Sequence, residues 1–327
     1  MNNTRRRIVT AATGGLALAA SPLRAQNADT VRIIVGFAPG GTSDVTARRV
    51  AERLQRDGYA KSVVVENRTG AGGQIAVNAL KTMPADGLTI VQTPMSILGI
   101  YPHTYKKLPY DPVADFAPVS MAARFDMGFA VGPMVPASVR NINDFAAWAK
   151  ANPKDANFGS PAAGSVPHFV GEILSQKIGV PMKHAPYRGT QPAIVDMMGG
   201  QVAAVSGPLG EFLQHIPTGK VRLLATSGAS RSKFSSGVAT FAEQGYRDIV
   251  YDEWFGFYVS SKTSSDTIAK LNTAFAAALA APEVIDSLGA MGLEAKSSSP
   301  AELAATLKRD NERWAPLIKA IGFTADS

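Results

Sequence analysis

The 327-residue chain contains no cysteine, which excludes disulfides, a thiolate nucleophile and a cysteine-ligated zinc. Histidine is scarce, with four in the whole chain. His103 and His215 stand alone, and His168 lies four residues before Glu172 with no second cluster to complete a metal site. Metal and cofactor chemistry is therefore not expected. No apolar run reaches the roughly 20 residues a spanning helix needs. Beyond residue 25 there is also no Lys/Arg run and no basic-aromatic interleaving, so nucleic acid is not an expected partner.

What is present begins with MNNTRRRIVTAATGGLALAASPLRAQ. Three arginines, an apolar stretch from Ile8 to Ala20 and the small-residue site Leu23-Arg24-Ala25 predict an export signal over residues 1–25, cleaved near Ala25. That places the mature chain in the periplasm. The Arg5-Arg6-Arg7 run fits both the twin-arginine and the general export route. Four arginines and no acid lie in this segment, so its removal lowers the formal charge from +7 to +3. The remaining 300 or so residues exceed what one hydrophobic core usually holds, and two domains are expected.

The mature chain alternates strand-like and helix-like patterns. Strands are predicted at 31–37, 62–67 and 88–93, with helices at 43–56 and 73–82, which argues for α/β units with a largely parallel sheet. An irregular Tyr/Pro-rich stretch (101–112) precedes the long apolar segment 116–132. A second series follows: helices at 142–151, 166–178, 190–199 and 208–219 between strands at 156–160, 183–187, 202–207 and 221–227. The run DEWFGFYVSS (252–261) returns the chain, and helices at 264–281, 282–291 and 300–321 close it. The last two start at Pro282 and Ser299-Pro300, as helix starts should. Two crossings without a flexible linker suggest a discontinuous two-lobed molecule with a cleft.

Several glycine- and serine-rich stretches miss known chemistries. Gly219-Lys220 lacks the first P-loop glycine, and Gly70-Ala71-Gly72-Gly73-Gln74-Ile75 puts isoleucine where a dinucleotide fingerprint needs its third glycine. Gly41-Thr42-Ser43-Asp44-Val45 is one glycine short of a nucleophile elbow, and Ser230-Arg231-Ser232-Lys233 has no companion motifs.

The positive signal is a repeated grammar. FAPGGTSD (37–44) leaves a strand and opens a helix, GSPAAGSVPH (159–168) does the same, and APYRGTQPA (185–193) does so again. Small residues let backbone N–H groups at a helix start approach an anion. The first two loops contain no Lys or Arg, which favours a carboxylate over a phosphate. Ordinary βα turns capped by Ser or Thr would show the same letters.

Eight ordered stretches carry a family resemblance: FAPGGTSDVTARRVAERL, VVVENRTGAGGQIAVNAL, PADGLTI, KLPYDPVADFAPVS, FGSPAAGSVPHFVGEIL, APYRGTQPAIVDMMGGQV, WFGFYV and SSSPAELAATLKRDNERWAPLIKAIG. Together they resemble the Bug-type periplasmic solute-binding proteins of tripartite tricarboxylate transporters. The resemblance implies a type II periplasmic-binding-protein fold, two α/β lobes joined by two crossing strands, with lobe one at 26–128 plus 253–327 and lobe two at 129–252. It implies a receptor, not an enzyme, that binds a small organic carboxylate and delivers it to an integral-membrane permease. The ligand-binding positions it implies are Phe37, Ala38, Gly40, Gly41, Thr42, Ser43 and Asp44 in lobe one. In lobe two they are Ser160, Ala163, Gly164, Ser165 and His168, with Tyr187, Gly189, Thr190 and Ser206 around the cleft. Ser206-Gly207 stands where relatives commonly carry an acidic feature, and 232–246 lacks two prolines common among them. Competing readings are a ligand-sensing partner of a sensor kinase, or a serine hydrolase using Ser43 or Ser165 with His168.

Overall fold

A computed structural model describes residues 28–325; the expected export segment, residues 1–25, lies outside the described residues. The first unit contains β1 (Ala28–Val35), α1 (Thr42–Arg56), β2 (Ala60–Asn67), α2 (Gln74–Leu80), β3 (Thr89–Pro94), α3 (Tyr101–Thr104) and β4 (Phe116–Val131). The second contains α4 (Ile142–Ala151), β5 (Asn157–Ser160), α5 (Val166–Ile178), β6 (Lys183–Pro186), α6 (Thr190–Met198), β7 (Ala204–Pro208), α7 (Gly210–Leu213) and β8 (Arg222–Thr226). The chain then returns through β9 (Asp252–Ser260) to α8 (Ser265–Leu279), α9 (Pro282–Ala290), β10 (Glu294–Ala295) and α10 (Pro300–Ile321).

The sheet runs β2-β1-β3-β9-β4-β7-β5-β6, with β8 and β10 also on β4. Strands β1, β2 and β3 are mutually parallel, as are β5, β6 and β7, while β4 and β9 run antiparallel to their neighbours. The strand that joins the halves is β4. Its first part pairs with β9 from Phe116 to Asp126; from Met127 onward it pairs with β7 and β8. At this change of partners Ser227 stitches the halves together: its Oγ accepts from the Met127 N–H at 2.9 Å and donates to the Tyr251 carbonyl. Pro118, which cannot donate to a ladder, sits at a register shift between β4 and β9.

Helices α1 and α2 pack on β1 and β3, and little of these two strands is left exposed. Val31, Ile33, Ile34 and Val35 of β1 are fully buried, and every residue of β3 is buried. Two expectations change. The predicted helix 208–219 is a β7 end, one turn of α7 and a 3₁₀ turn at Ile216–Thr218. Pro217 lacks the N–H that a continuous helix would use there. The stretch 101–112, expected to be irregular, opens with α3, which follows a π-helical turn at Ser96–Ile100.

Candidate functional site

Between the two halves lies a cleft lined by residues of both. Three helix N-termini open on it. Gly41, Thr42 and Ser43 come from α1, Ser165 and Pro167 from α5, and Gly189, Thr190 and Gln191 from α6. Each helix end carries about half a positive charge, so the cleft is prepared for anions. Its walls are apolar and aromatic: Phe37, Tyr101, Phe125 and Phe255 line it, the last two with ring centroids 4.5 Å apart.

The anion that meets the FAPGGTSD loop is one of the protein's own. Glu211, buried, accepts the Thr42 N–H at 3.1 Å and the Thr42 hydroxyl at 2.8 Å through Oε1, and Gln191 Nε2 donates to its Oε2 at 3.3 Å. Gly41 is the N-cap of α1 and has no side chain to cap with, so a carboxylate 169 residues further along fills that role. A Cβ at Gly41 would stand 3.3 Å from Glu211 Oε1, which accounts for glycine at this position. Burial pushes the Glu211 carboxyl above its ordinary value, opposed by the hydrogen bonds from Thr42, Gln191 and Thr190.

A second carboxylate occupies the other wall. Glu253 of β9, 3% exposed, accepts the Ser96 N–H at 3.0 Å and the Ser96 hydroxyl, both through Oε1. The same Ser96 Oγ accepts the N–H of Val166, the first residue of α5, at 3.1 Å. Burial raises the Glu253 carboxyl to about 7; the Ser96 hydrogen bonds oppose the rise, and Asp252 and Asp310 add to it. Helices α1 and α5 thus receive their capping partner from the opposite half of the molecule.

The expected site residues divide. Phe37, Ala38, Gly41, Thr42, Ser43, Ser165, Gly189 and Thr190 line the cleft. Gly40, Asp44, Ser160, Ala163, Gly164, His168, Tyr187 and Ser206 do not. Asp44 accepts from Gly40 N–H (3.0 Å), Arg48 Nε (2.9 Å) and Asn67 Nδ2 (2.9 Å), and so ties down the loop. Burial would raise its pKa, but these partners, Arg48 foremost, bring it below the ordinary value. His168 is buried with Nδ1 accepting from Gly164 N–H at 3.0 Å, and its Nε2 lies 3.4 Å from Glu172.

Most of the remaining off-cleft residues are likewise engaged. Ser160 shares a 2.8 Å hydrogen bond with His184, whose pKa falls to about 2 through burial and then the neighbouring His168. The Ala163 carbonyl accepts from Tyr105, and Gly164, at φ +72, abuts Thr104 across the interface. Tyr187 donates to Asp196 at 2.9 Å. Ser206 is fully buried and its Oγ has no partner among the described residues. Beside it Gly207 admits Thr190, whose Cγ2 would lie 2.4 Å from a Cβ there, so a side chain at 207 would displace a cleft residue. Among the described residues there is no cluster of three or more His, Cys, Asp or Glu suited to a metal.

Sequence reasoning missed Glu211, Glu253, Ser96 and Gln191. The available signal was an acid inside an apolar run: Glu253 in DEWFGF and Glu211 in GPLGEF, each in a setting where a carboxylate would not be left without a partner.

Comparison with known proteins bears on this arrangement. Residues 46–323 match the family model described as tripartite tricarboxylate transporter family receptor. The chain is 32% identical to Protein BugT of Bordetella pertussis over 314 residues, 95% of this chain and 94% of that protein. The solved structure of the periplasmic binding protein BugD superposes with a TM-score of 0.85 at 28% identity, covering 91% of this chain and 99% of that one. An R. palustris protein solved with adipate superposes at 0.86 with 29% identity, covering 91% and 99%. The fold is accordingly the two-lobed α/β fold of periplasmic binding proteins. With most of its length matched by the family model and its halves closing on a single cleft, the chain belongs to the receptor family of tripartite tricarboxylate transporters.

Proposed function

We propose that this chain is an exported solute receptor, freed of its leader near Ala25, that captures a small organic carboxylate in the periplasm and presents it unchanged to integral-membrane permease subunits. The observation that carries this reading is the convergence of three helix N-termini, drawn from both halves, on one enclosed cavity. The α6 end is the natural seat for the ligand carboxylate. Gly189, Thr190 and Gln191 line the cavity there, and no in-chain acceptor among the described residues takes the Thr190 or Gln191 backbone N–H. The adipate complex of the R. palustris relative supports a carboxylate in the equivalent fold.

The lobes of this reading are 26–128 with 253–327, and 129–252, hinging where β4 changes partners at Asp126/Met127 beside Ser227. The contacts across the cleft (Ala38 N–H to the Arg188 carbonyl, Thr42 to Glu211, Val166 to Ser96) are those of a closed state. Receptor action rather than hydrolysis agrees with the serines: Ser43 donates to Gln92 and Ser165 to the Ala162 carbonyl, neither to a histidine.

The test is a thermal-shift screen of the mature protein against organic acids, followed by NMR of the mixture. A ligand at a hundredfold excess over Kd stabilises the folded state by about 2.7 kcal/mol. Recovery of the intact acid is expected, and catalytic turnover of it or of its esters would overturn the reading.

A further inference from the structure

We infer that the ligand is a zwitterion, a carboxylate that also bears an ammonium group, and that Glu253 together with Glu211 selects it over plain dicarboxylates. The inference rests on the carboxylate-receptor reading above and specifies its substrate.

The charged side chains lining the cleft are Glu211 and Glu253; no Lys, Arg or His joins them. Three helix ends supply roughly one and a half positive charges between them. Glu211 consumes part of that at α1 and also accepts from the Gln191 side chain of α6, and Glu253, through Ser96, faces the start of α5. What is left compensates one ligand carboxylate at α6. A second carboxylate on the ligand would find no cation and would meet two buried acids.

Glu253 also offers a specific place for a donor. Its Oε1 takes both hydrogen bonds from Ser96, whereas Oε2 has no hydrogen-bond partner among the described residues, although the residue is 3% exposed and lines the cavity. That oxygen is open to the cleft and free to accept from a donor on the ligand. An ammonium group fits the remaining walls as well: Phe37, Tyr101, Phe125 and Phe255 border the same space, and aromatic rings can attract cations. The ligand would therefore lie with its carboxylate toward Gly189, Thr190 and Gln191 and its ammonium toward Glu253.

Matched probes decide the matter, because replacing one carboxylate by ammonium at constant chain length changes only the charge at one end. Calorimetry on the mature protein would compare succinate with γ-aminobutyrate, glutarate with δ-aminovalerate, and adipate with ε-aminocaproate. Within the length that binds, the amino acid is expected to bind roughly tenfold or more tightly than its dicarboxylate, the worth of one charged hydrogen bond. Glu253→Gln and Glu211→Gln, nearly isosteric, should each erode or reverse that preference, with unliganded thermal unfolding confirming that the variants are folded. Tighter binding of the dicarboxylate by the unmodified protein would overturn the zwitterion while leaving the carboxylate receptor standing, as would a preference unchanged in both variants. Failure of every probe of either kind to bind would remove the carboxylate reading and this inference with it.

Discussion

Helices α10 and α1 begin in different ways. At α10 the start is local: the Ser299 side chain accepts the Glu302 N–H, the Glu302 carboxylate accepts the Ser299 N–H at 2.8 Å, and Pro300 occupies the first turn. At α1 the N-cap is a glycine with no capping atom, and the carboxylate that meets the first N–H comes from the far side of the cleft. Helix α5 follows α1, with Ser165 making no side-chain cap and Ser96 of the other half accepting from Val166. Helices α4 and α8 follow α10, capped by Asn141 and Ser264. Of these helices, α4, α8 and α10 are closed by their own sequence, whereas α1 and α5 are met by partners from the other half of the molecule. The starts of α4, α8 and α10 are therefore made without the other half, while α1 and α5 couple their capping to closure.

The strongest way to break this contrast is Gly41→Asp. The new carboxylate would stand against Glu211 Oε1, where a Cβ alone is already at 3.3 Å, and like charges placed together cost several kcal/mol. Calorimetry should show the affinity for the best organic acid reduced about a hundredfold or more, with the circular dichroism spectrum retained. Unchanged affinity would detach the α1 loop from the site.

Next in size is the titration of Glu253, whose carboxyl rises from 4.5 to about 7 in the folded protein. Between those values the folded state holds a proton that the unfolded state has released. Stability from this group is thus fully present below about 4.5 and declines as pH rises through 7. Glu253→Gln should remove that decline, on the order of 3 kcal/mol across the window, from the difference between denaturation curves at pH 5 and pH 8. His184, held neutral with its pKa down to about 2, acts in the opposite sense, destabilising the fold as pH falls below its ordinary 6.5, and is untouched by that variant. Parallel pH profiles for the two proteins would show that Glu253 is ionised in the fold at all these pH values.

Glu211→Ala sharpens the comparison. It leaves the Thr42 N–H and hydroxyl without their partner and should cost about 1–3 kcal/mol in urea denaturation. It should also weaken closure, seen as a smaller ligand-induced decrease in radius of gyration by X-ray scattering. Ser299→Ala is the control at the other kind of helix start. A loss of about 1 kcal/mol is expected, with ligand affinity and scattering profile unchanged. If Ser299→Ala altered affinity as Glu211→Ala does, the distinction between peripheral and cleft caps would fail.

The amino-acid sequence by itself determined the parts governed by near neighbours. The buried strand β3, the buried Val31, Ile33, Ile34 and Val35 of β1, the start of α9 at Pro282 and the capping box of α10 follow from patterns a few residues long. So do the three small-residue loops that bring helix N-termini to the cleft, since φ values such as +83 at Gly40 and +140 at Gly189 are glycine's own. Family resemblance extended that reading to the two lobes. Tertiary structure alone decided which of the loop residues face the cavity and which anion meets α1. Asp44 and His168 look like site residues in a linear motif, yet their side chains turn back to hold Gly40, Arg48 and Gly164. Glu211 and Glu253 look like isolated acids, and they become the charge of the cleft because closure sets them against Thr42 and Ser96, 169 and 157 residues away. Periodicity and turn chemistry act over a few residues, but a carboxylate's partner across a cleft is fixed by how the two halves close.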